Sequence, residues 1–304
     1  MQSYQIDYLD KESTRIDKFL SARLPELSRS HLQILIQTQK VLVNGYPCKA
    51  NYKCKYKDHI EVEQEEPKLL DLTPENIPLD IIYEDASILI VNKPKGMVVH
   101  PAAGHENGTL VNALMYHCKD SLSTINGVIR PGIVHRIDQN TTGILVVCKN
   151  DHAHQALAAQ LKEHSITRKY HAICHGTFRE PTGTVHTTIG RHPVNRKKMA
   201  VNTKNGRDAI THYRVLQELK GYSYIECTLE TGRTHQIRVH MASIGHPILG
   251  DDVYGPKRCP IQNLTGQTLH AKTLGFIHPD TGEYVEFDSE LPDYFTKLLN
   301  KLAN

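Results

Sequence analysis

The stretch that most constrains this fold is Ile144-Leu145-Val146-Val147-Cys148, together with the polar segment His135-Arg136-Ile137-Asp138-Gln139-Asn140-Thr141-Thr142-Gly143 that leads into it. An apolar run this short and this rich in β-branched residues reads as a buried strand. Pro131-Gly132-Ile133-Val134, upstream, reads the same way. The polar segment is then a loop held at both ends by sheet, where a scaffold can aim a reactive side chain. Asp138 is the carboxylate in that loop. On the residues alone two readings stand. Asp138 is a reactive group, or the segment is a tight turn in which Asp138 and Asn140 cap backbone amides and Gly143 supplies an unusual dihedral.

The rest of the chain divides in two. Residues 13–63 carry their own pattern: Arg15 to Leu20 has apolar residues at helical spacing, and Ser28 offers a cap ahead of Leu32, Leu35 and Ile36. Val41-Leu42-Val43 is a strand closing on the hairpin pair Asn44-Gly45, and Asp58 to Val62 alternates like a second strand. Residues 64–78, with their prolines and acids, read as a linker. Beyond it, 79–304 is strand-rich: Ile81 to Tyr83, Ile88 to Asn92, Ile166 to Phe178, Thr211 to Leu219 and Tyr222 to Thr231. Helices are expected after Asp151 as cap, around Ile237 to Ile244 with Gly245 as stop, and from Leu291 to Leu302. Mostly hairpin connections imply an α+β fold with a mixed, mainly antiparallel sheet, preceded by a small α/β module.

A chain of 304 residues has room for about two domains. A net charge of +3 does not announce a polyanion partner, so local charge must carry that argument. Seven cysteines without a Cys-x-x-Cys pair fit reduced thiols and a cytoplasmic protein. Neither a signal pattern nor a membrane-length apolar run is present. Between Pro181 and Arg207 there is no acid, while Arg191, Arg196, Lys197, Lys198, Lys204 and Arg207 accumulate. Unbalanced charge of one sign favours an anionic partner, so this segment is expected to be an RNA-gripping loop rather than an ordinary mobile one. In the first module Arg23, Arg29, Lys40, Lys49, Lys53, Lys55 and Lys57 form either a phosphate-tracking face or a solvated surface.

His135 to Gly143 resembles the signature of the RluA/RluD-type RNA pseudouridine synthases, with Ile137 where Leu is usual and Thr142 where Ser is frequent. Lys93 to Pro101, Arg168-Lys169-Tyr170, Thr231 to His240, Gly245 to Asp251 and Leu269-His270-Ala271 resemble further motifs of that family, in order. Residues 13–63 resemble an S4-like RNA-binding module, with Gln39 where a helix-ending glycine is usual. The resemblance implies that Asp138 is catalytic, that Arg238 is its counter-ion with Arg233 in reserve, and that Tyr170 stacks on the target base or takes the proton from its carbon 5. It also implies that Arg136 fills the space left by a base turned out of its stack and holds a phosphate, and that His135 and Arg233 contact substrate. Lys93 to Pro101, punctuated by proline and glycine, is expected to support the site.

Isomerising uridine breaks the glycosidic C–N bond and remakes it at carbon 5. No redox change or net transfer occurs, so no cofactor or metal is called for. One carboxylate near sugar and base suffices, whether it attacks the ring, attacks the anomeric carbon or assists a glycal route. Arg191-His192-Pro193, Lys197 to Val201 and Pro101 to His105 resemble the RluD branch, which acts on large-subunit ribosomal RNA. The implied protein is a monomeric enzyme with RNA as partner and no membrane association. The rivals are a ribosome-associated assembly factor without turnover, and a nucleoside glycosidase, which needs a second carboxylate such as Asp251 or Asp252 to activate water.

Overall fold

The computed structural model describes residues 2–24, 27, 29–64, 73–101, 105–119, 121–123, 131–195 and 198–303. The expected cap Ser28 and the basic residues Arg196 and Lys197 lie outside the described residues. The chain forms two compact units, Met1–Asp71 and Leu72–Asn304.

The first unit runs β1 (Gln2–Asp7), α1 (Ile16–Arg23), α2 (Arg29–Gln37), β2 (Val41–Val43), β3 (Tyr46–Pro47) and β4 (His59–Gln64). Its antiparallel sheet has the order β1-β4-β2-β3. Ile16, Phe19 and Leu20 of α1 and Leu32, Leu35 and Ile36 of α2 fall at helical spacing and bury against Val41, Val43, Ile60 and Val62. Gln39 takes φ 60°, so the glycine position is left-handed with a side chain on it, at a cost of roughly 1 kcal/mol. Lys40 N–H closes the helix end on the Leu35 carbonyl at 2.8 Å. Asn44 (φ 51°) and Gly45 (φ 80°) make the β2–β3 hairpin turn. Strand β1 is not expected from sequence. Among its described side chains only Tyr4 and Ile6 pack on the core, so this edge strand lacks a long apolar signature.

The second unit contains β5 (Asp80–Glu84), β6 (Ile88–Lys93), α3 (Leu110–Cys118), β7 (Thr142–Cys148), α4 (Asp151–Lys162), β8 (Thr167–His175), β9 (Thr182–Arg191), β10 (Met199–Val201), β11 (Arg207–Leu219), β12 (Tyr222–Leu229), α5 (Gln236–Ser243), β13 (Leu269–Ile277), β14 (Tyr284–Asp288) and α6 (Asp293–Ala303). The strand order is β10-β9-β11-β12-β8-β13-β7-β6-β5, with β14 also on β13. Pairings are antiparallel except β13 with β7. This is the expected α+β fold. Every residue of β7 is buried. Ile144, Val146 and Cys148 pack with Ile88, Ile90, Ala153, Leu157 and Phe276. Within the expected linker, residues 73–77 are tied to this unit: Asn112 Nδ2 donates to the Thr73 carbonyl, and Glu75 N–H to that of Asn112.

Three local expectations are corrected. Pro131 to Val134 is not a strand; only Ile133 bridges Val147. Gly132 has φ 71° and abuts the Cys148 carbonyl, which breaks the extended run. The cap of α4 is Asn150, whose side chain accepts from Ala153 N–H, while Asp151 accepts from the Ser123 hydroxyl. About half of the acid-free segment is sheet, β9 and β10, while its basic residues Lys198 and Lys204 lie outside the strands. Val185 and Ile189 bury alternate positions of β9, so period-two patterning outweighs the charge. No helix among the described residues is long and apolar enough to cross a membrane.

Candidate active site

The loop holding Asp138 enters β7 through Gly143, at φ 110°. A Cβ there would lie 2.2 Å from the Ala271 carbonyl oxygen, because β13 runs parallel and close. Only glycine fits this junction. The loop closes on itself through Thr141 N–H to the Asp138 carbonyl, 3.1 Å. It is then fixed from two sides. Gln267 Nε2 donates to Thr141 Oγ1 at 2.9 Å, and the Gly96 and Gln139 backbones bond at 3.0 Å. Lys93, fully buried, donates from Nζ to the carbonyls of Pro94, Met97 and Gln139 at 2.8–2.9 Å. Burial pulls that ammonium down to about 7, with the charge of Asp138 opposing. Three carbonyl acceptors favour its protonated form. Lys93 is thus a support of the loop, as expected.

Among the described residues no backbone amide donates to the Asp138 carboxylate. Oδ2 accepts from Arg238 Nη1 at 2.9 Å, and Oδ1 lies 3.9 Å from His235 Nε2. Arg238 sits on α5, and its remaining edge is clamped by Asp251: Nε to Oδ2 at 2.7 Å and Nη2 to Oδ1 at 2.9 Å. Asp251 Oδ1 also accepts the N–H groups of Val253 and Tyr254. The side chains of Asp251, Arg238 and Asp138 are 0%, 6% and 25% exposed, so the array runs from the core to an accessible carboxylate. Burial raises the Asp251 carboxyl, but Arg238 and the two amides bring it below its ordinary value. Burial likewise lowers the Arg238 guanidinium, and its two carboxylates more than offset that. Arg233 does not take this place; its Nε donates to the Asp208 carbonyl.

The start of α5 is unusual. His235, at the cap position, is left-handed (φ 57°) and makes no side-chain cap. Gln236 fixes the turn instead, accepting from Thr231 Oγ1 and Arg233 N–H and donating to the Ile210 carbonyl. His235 Nδ1 meets the Tyr254 hydroxyl at 2.9 Å, leaving Nε2 toward Asp138. Burial lowers the pKa of this ring.

On β8, Arg168 and Tyr170 share a buried face by strand alternation. Tyr170 lines one cavity with Asp138, Arg136, Leu229 and Arg238. Burial raises its phenol, the Asp138 charge adding to the effect and Arg168 opposing it. Arg136 is exposed, reaches Thr234 Oγ1 at 3.5 Å, and lines three adjoining cavities. His135 has its Nε2 occupied by Val146 N–H at 3.1 Å, and burial holds the ring neutral. That bond ties the loop to β7. Arg191 ends β9, and Lys198 lies 5.8 Å from the Tyr254 ring centre. Neither is among the residues lining the cavities around Asp138.

The sequence pairs Asp138 with Arg238 and admits Asp251 only as a water-activating carboxylate near the site, not as a clamp on Arg238, and it gives His235 no place there. Asp251 follows Gly250, whose φ of 80° turns the chain back toward α5, a contact set only by tertiary structure.

The family described as RNA pseudouridylate synthase matches residues 87–243, and the S4 domain matches residues 14–60. An uncharacterized RNA pseudouridine synthase of Bacillus subtilis, YlyB, is 51% identical over 96% of this chain and 95% of its own length. The ribosomal large subunit pseudouridine synthase D of Zymomonas mobilis is 48% identical over 95% and 93%. That of Haemophilus influenzae is 42% identical over 95% and 91%. Among solved structures, human RNA pseudouridylate synthase domain containing 1 superposes with a TM-score of 0.58 at 25% identity, over 79% of this chain and 97% of that one. The chain belongs to the RNA pseudouridylate synthase family, and is an RNA pseudouridine synthase carrying an S4 domain.

Proposed function

We propose that this enzyme isomerises uridines of large-subunit ribosomal RNA in the cytoplasm, with Asp138 as its catalytic carboxylate. The observation that carries the reading is the Asp251–Arg238–Asp138 array. It leaves Asp138 Oδ1 without a hydrogen bond among the described residues, at the wall of a cavity also lined by Tyr170. An ion-paired carboxylate held at a fixed angle serves as the nucleophile or charge-stabilising group that breaking the N1–C1′ bond requires. The base then turns, C5 bonds to C1′, the C5 proton leaves and N1 takes one up. Tyr170 offers its ring face to the base. Stacking is the role proposed for it, because burial raises the phenol above its ordinary value and so weighs against its taking the C5 proton. Arg136, exposed where three cavities meet, is placed to occupy the gap that an extruded base leaves.

Of the two carboxylates the glycosidase alternative could use, Asp251 takes four donors and has no exposed surface, so it cannot activate water. Asp252 is exposed and lines a cavity with Asp138, so it is membership of the pseudouridine synthase family, over half the chain, that weighs against this alternative. The choice of large-subunit RNA rests on relatives bearing that name at 42–48% identity over nearly the full chain. Because Asp138, Arg238, Asp251 and Tyr170 come from one chain, the proposed working unit is a monomer.

Pseudouridine mapping of ribosomal and transfer RNA, from cells with and without the protein, tests the substrate. The expected result is loss of sites confined to large-subunit RNA. Loss confined to transfer RNA refutes the substrate class while leaving the enzyme intact.

A further inference from the structure

Beyond Tyr170 the cleft opens into a cavity of about 380 Å³ whose walls carry Arg136, Arg168, Arg233 and His164, with Val134 and Leu161 as apolar floor. No Asp or Glu among the described residues lines it. Arg168 is the telling member. It is 6% exposed, its Nη2 donates to the Glu230 carbonyl at 2.8 Å, and its Nε has no hydrogen-bond partner. No carboxylate among the described residues pairs with it. A buried guanidinium without an anion is costly. Burial and the like charge of Arg233 both disfavour its charged form. Gly232 lies so close that a Cβ there would come within 2.7 Å of Arg168 Nη1. Glycine at 232 therefore leaves the fork the room it occupies. Arg136, Tyr170, Leu229 and Arg233 line both this cavity and the one containing Asp138, so a strand delivered to Asp138 continues into it.

We infer that this cavity is a nucleotide subsite, receiving the phosphodiester next to the target uridine on Arg168 and Arg233 and its sugar on Val134 and Leu161. The inference rests on the RNA reading of the main site. Its size suits a nucleotide unit rather than a lone anion, and planar guanidinium forks match phosphate oxygens.

The test uses the full chain and a large-subunit RNA hairpin containing a uridine that the enzyme converts. Each phosphate flanking that uridine is replaced in turn by a neutral methylphosphonate. The parent should lose about tenfold or more in affinity at one linkage. Arg168→Gln and Arg233→Gln should bind the unmodified RNA correspondingly more weakly, and lose nothing further at that linkage. Gly232→Ala, which displaces the fork without removing its charge, should give a smaller loss at the same linkage and covers the case in which Arg168→Gln fails to fold. If no linkage is sensitive, or the losses are additive in every variant, the subsite is refuted. Should the parent convert no ribosomal uridine, the substrate proposal falls instead. The subsite is then judged by the salt dependence of binding to single-stranded oligouridylate. A slope shallower by about 0.7 per arginine removed supports it, and an unchanged slope overturns it.

Discussion

Replacing Asp251 by Asn should damage this protein far more than its distance from the accessible carboxylate suggests. Asp251 is wholly buried and accepts from Arg238 Nε and Nη2 and from the amides of Val253 and Tyr254. Asparagine keeps the shape but supplies one acceptor oxygen, and its amide group would face a donor. Arg238, 6% exposed, would retain only Asp138, which is 25% exposed and half given to the cleft. Breaking a buried pair by removing one partner costs about 3–5 kcal/mol. For a unit of this size each kcal/mol lowers the melting temperature by roughly 2–4 °C, so the larger unit should melt on the order of 10 °C earlier. Calorimetry on the full chain measures this. Turnover should also fall, because Arg238 then swings about a single remaining bond. Asp138→Asn is the internal contrast: its carboxylate is partly solvated, so the stability cost should be about 1 kcal/mol while activity disappears. A melting temperature of Asp251→Asn within 2 °C of the parent, by the scale just used, would refute the clamp.

His240 and His270 are buried with both ring nitrogens bonded, and burial brings each to about 4. Their unfolded value is near 6.5, so the unfolded chain binds more protons between the two, and stability should fall as pH drops from about 6.5 toward 4, by up to roughly 3 kcal/mol per ring. Denaturant midpoints at pH 7.5 and 4.5 check this, and Gln at both positions should flatten the difference. Gly143→Ala places a Cβ against the Ala271 backbone at a left-handed φ and should cost more than about 3 kcal/mol, read as loss of soluble folded protein. A chain starting at Leu72 should keep its fold by circular dichroism, bind RNA more weakly and show a shallower salt dependence, by about 0.7 for each phosphate that the first unit neutralises.

What the sequence disclosed, and what it withheld, follows from where the information lies. Strand β7 was legible because an unbroken β-branched run has few other destinations, and the Asp138 loop because both its motif and its place before that strand are local. Helices α1 and α2 were legible through their apolar spacing. Strand β9 was hidden by its lack of acids, which drew attention to charge while Val185 and Ile189 kept the strand period. The edge strand β1 had too little apolar surface to register. At Pro131 to Val134 the composition was right and the backbone wrong, since Gly132 adopts φ 71°. Asp251 was legible only as a carboxylate that could come near Asp138; its clamp on Arg238 was not, because Asp251 reaches the guanidinium only when the chain after α5 folds back. His135 lines the cavity beyond Tyr170, and its Nε2 also serves the Val146 amide, a bond that no pattern in the sequence encodes.

The central claim is that Asp138 carries the isomerisation, and Asp138→Asn measures it most directly. Asparagine fills the same space and can still accept from Arg238, so loop geometry and RNA affinity should stay within a few-fold of the parent. It is neutral, so a nucleophile or stabiliser of developing positive charge is lost. Conversion of uridine in a large-subunit RNA transcript, followed by pseudouridine mapping with melting curves beside it, should fall on the order of 10⁴-fold, equivalent to about 5.5 kcal/mol of transition-state stabilisation. A folded Asn variant that binds RNA normally and converts uridine at a rate comparable to the parent would contradict the account.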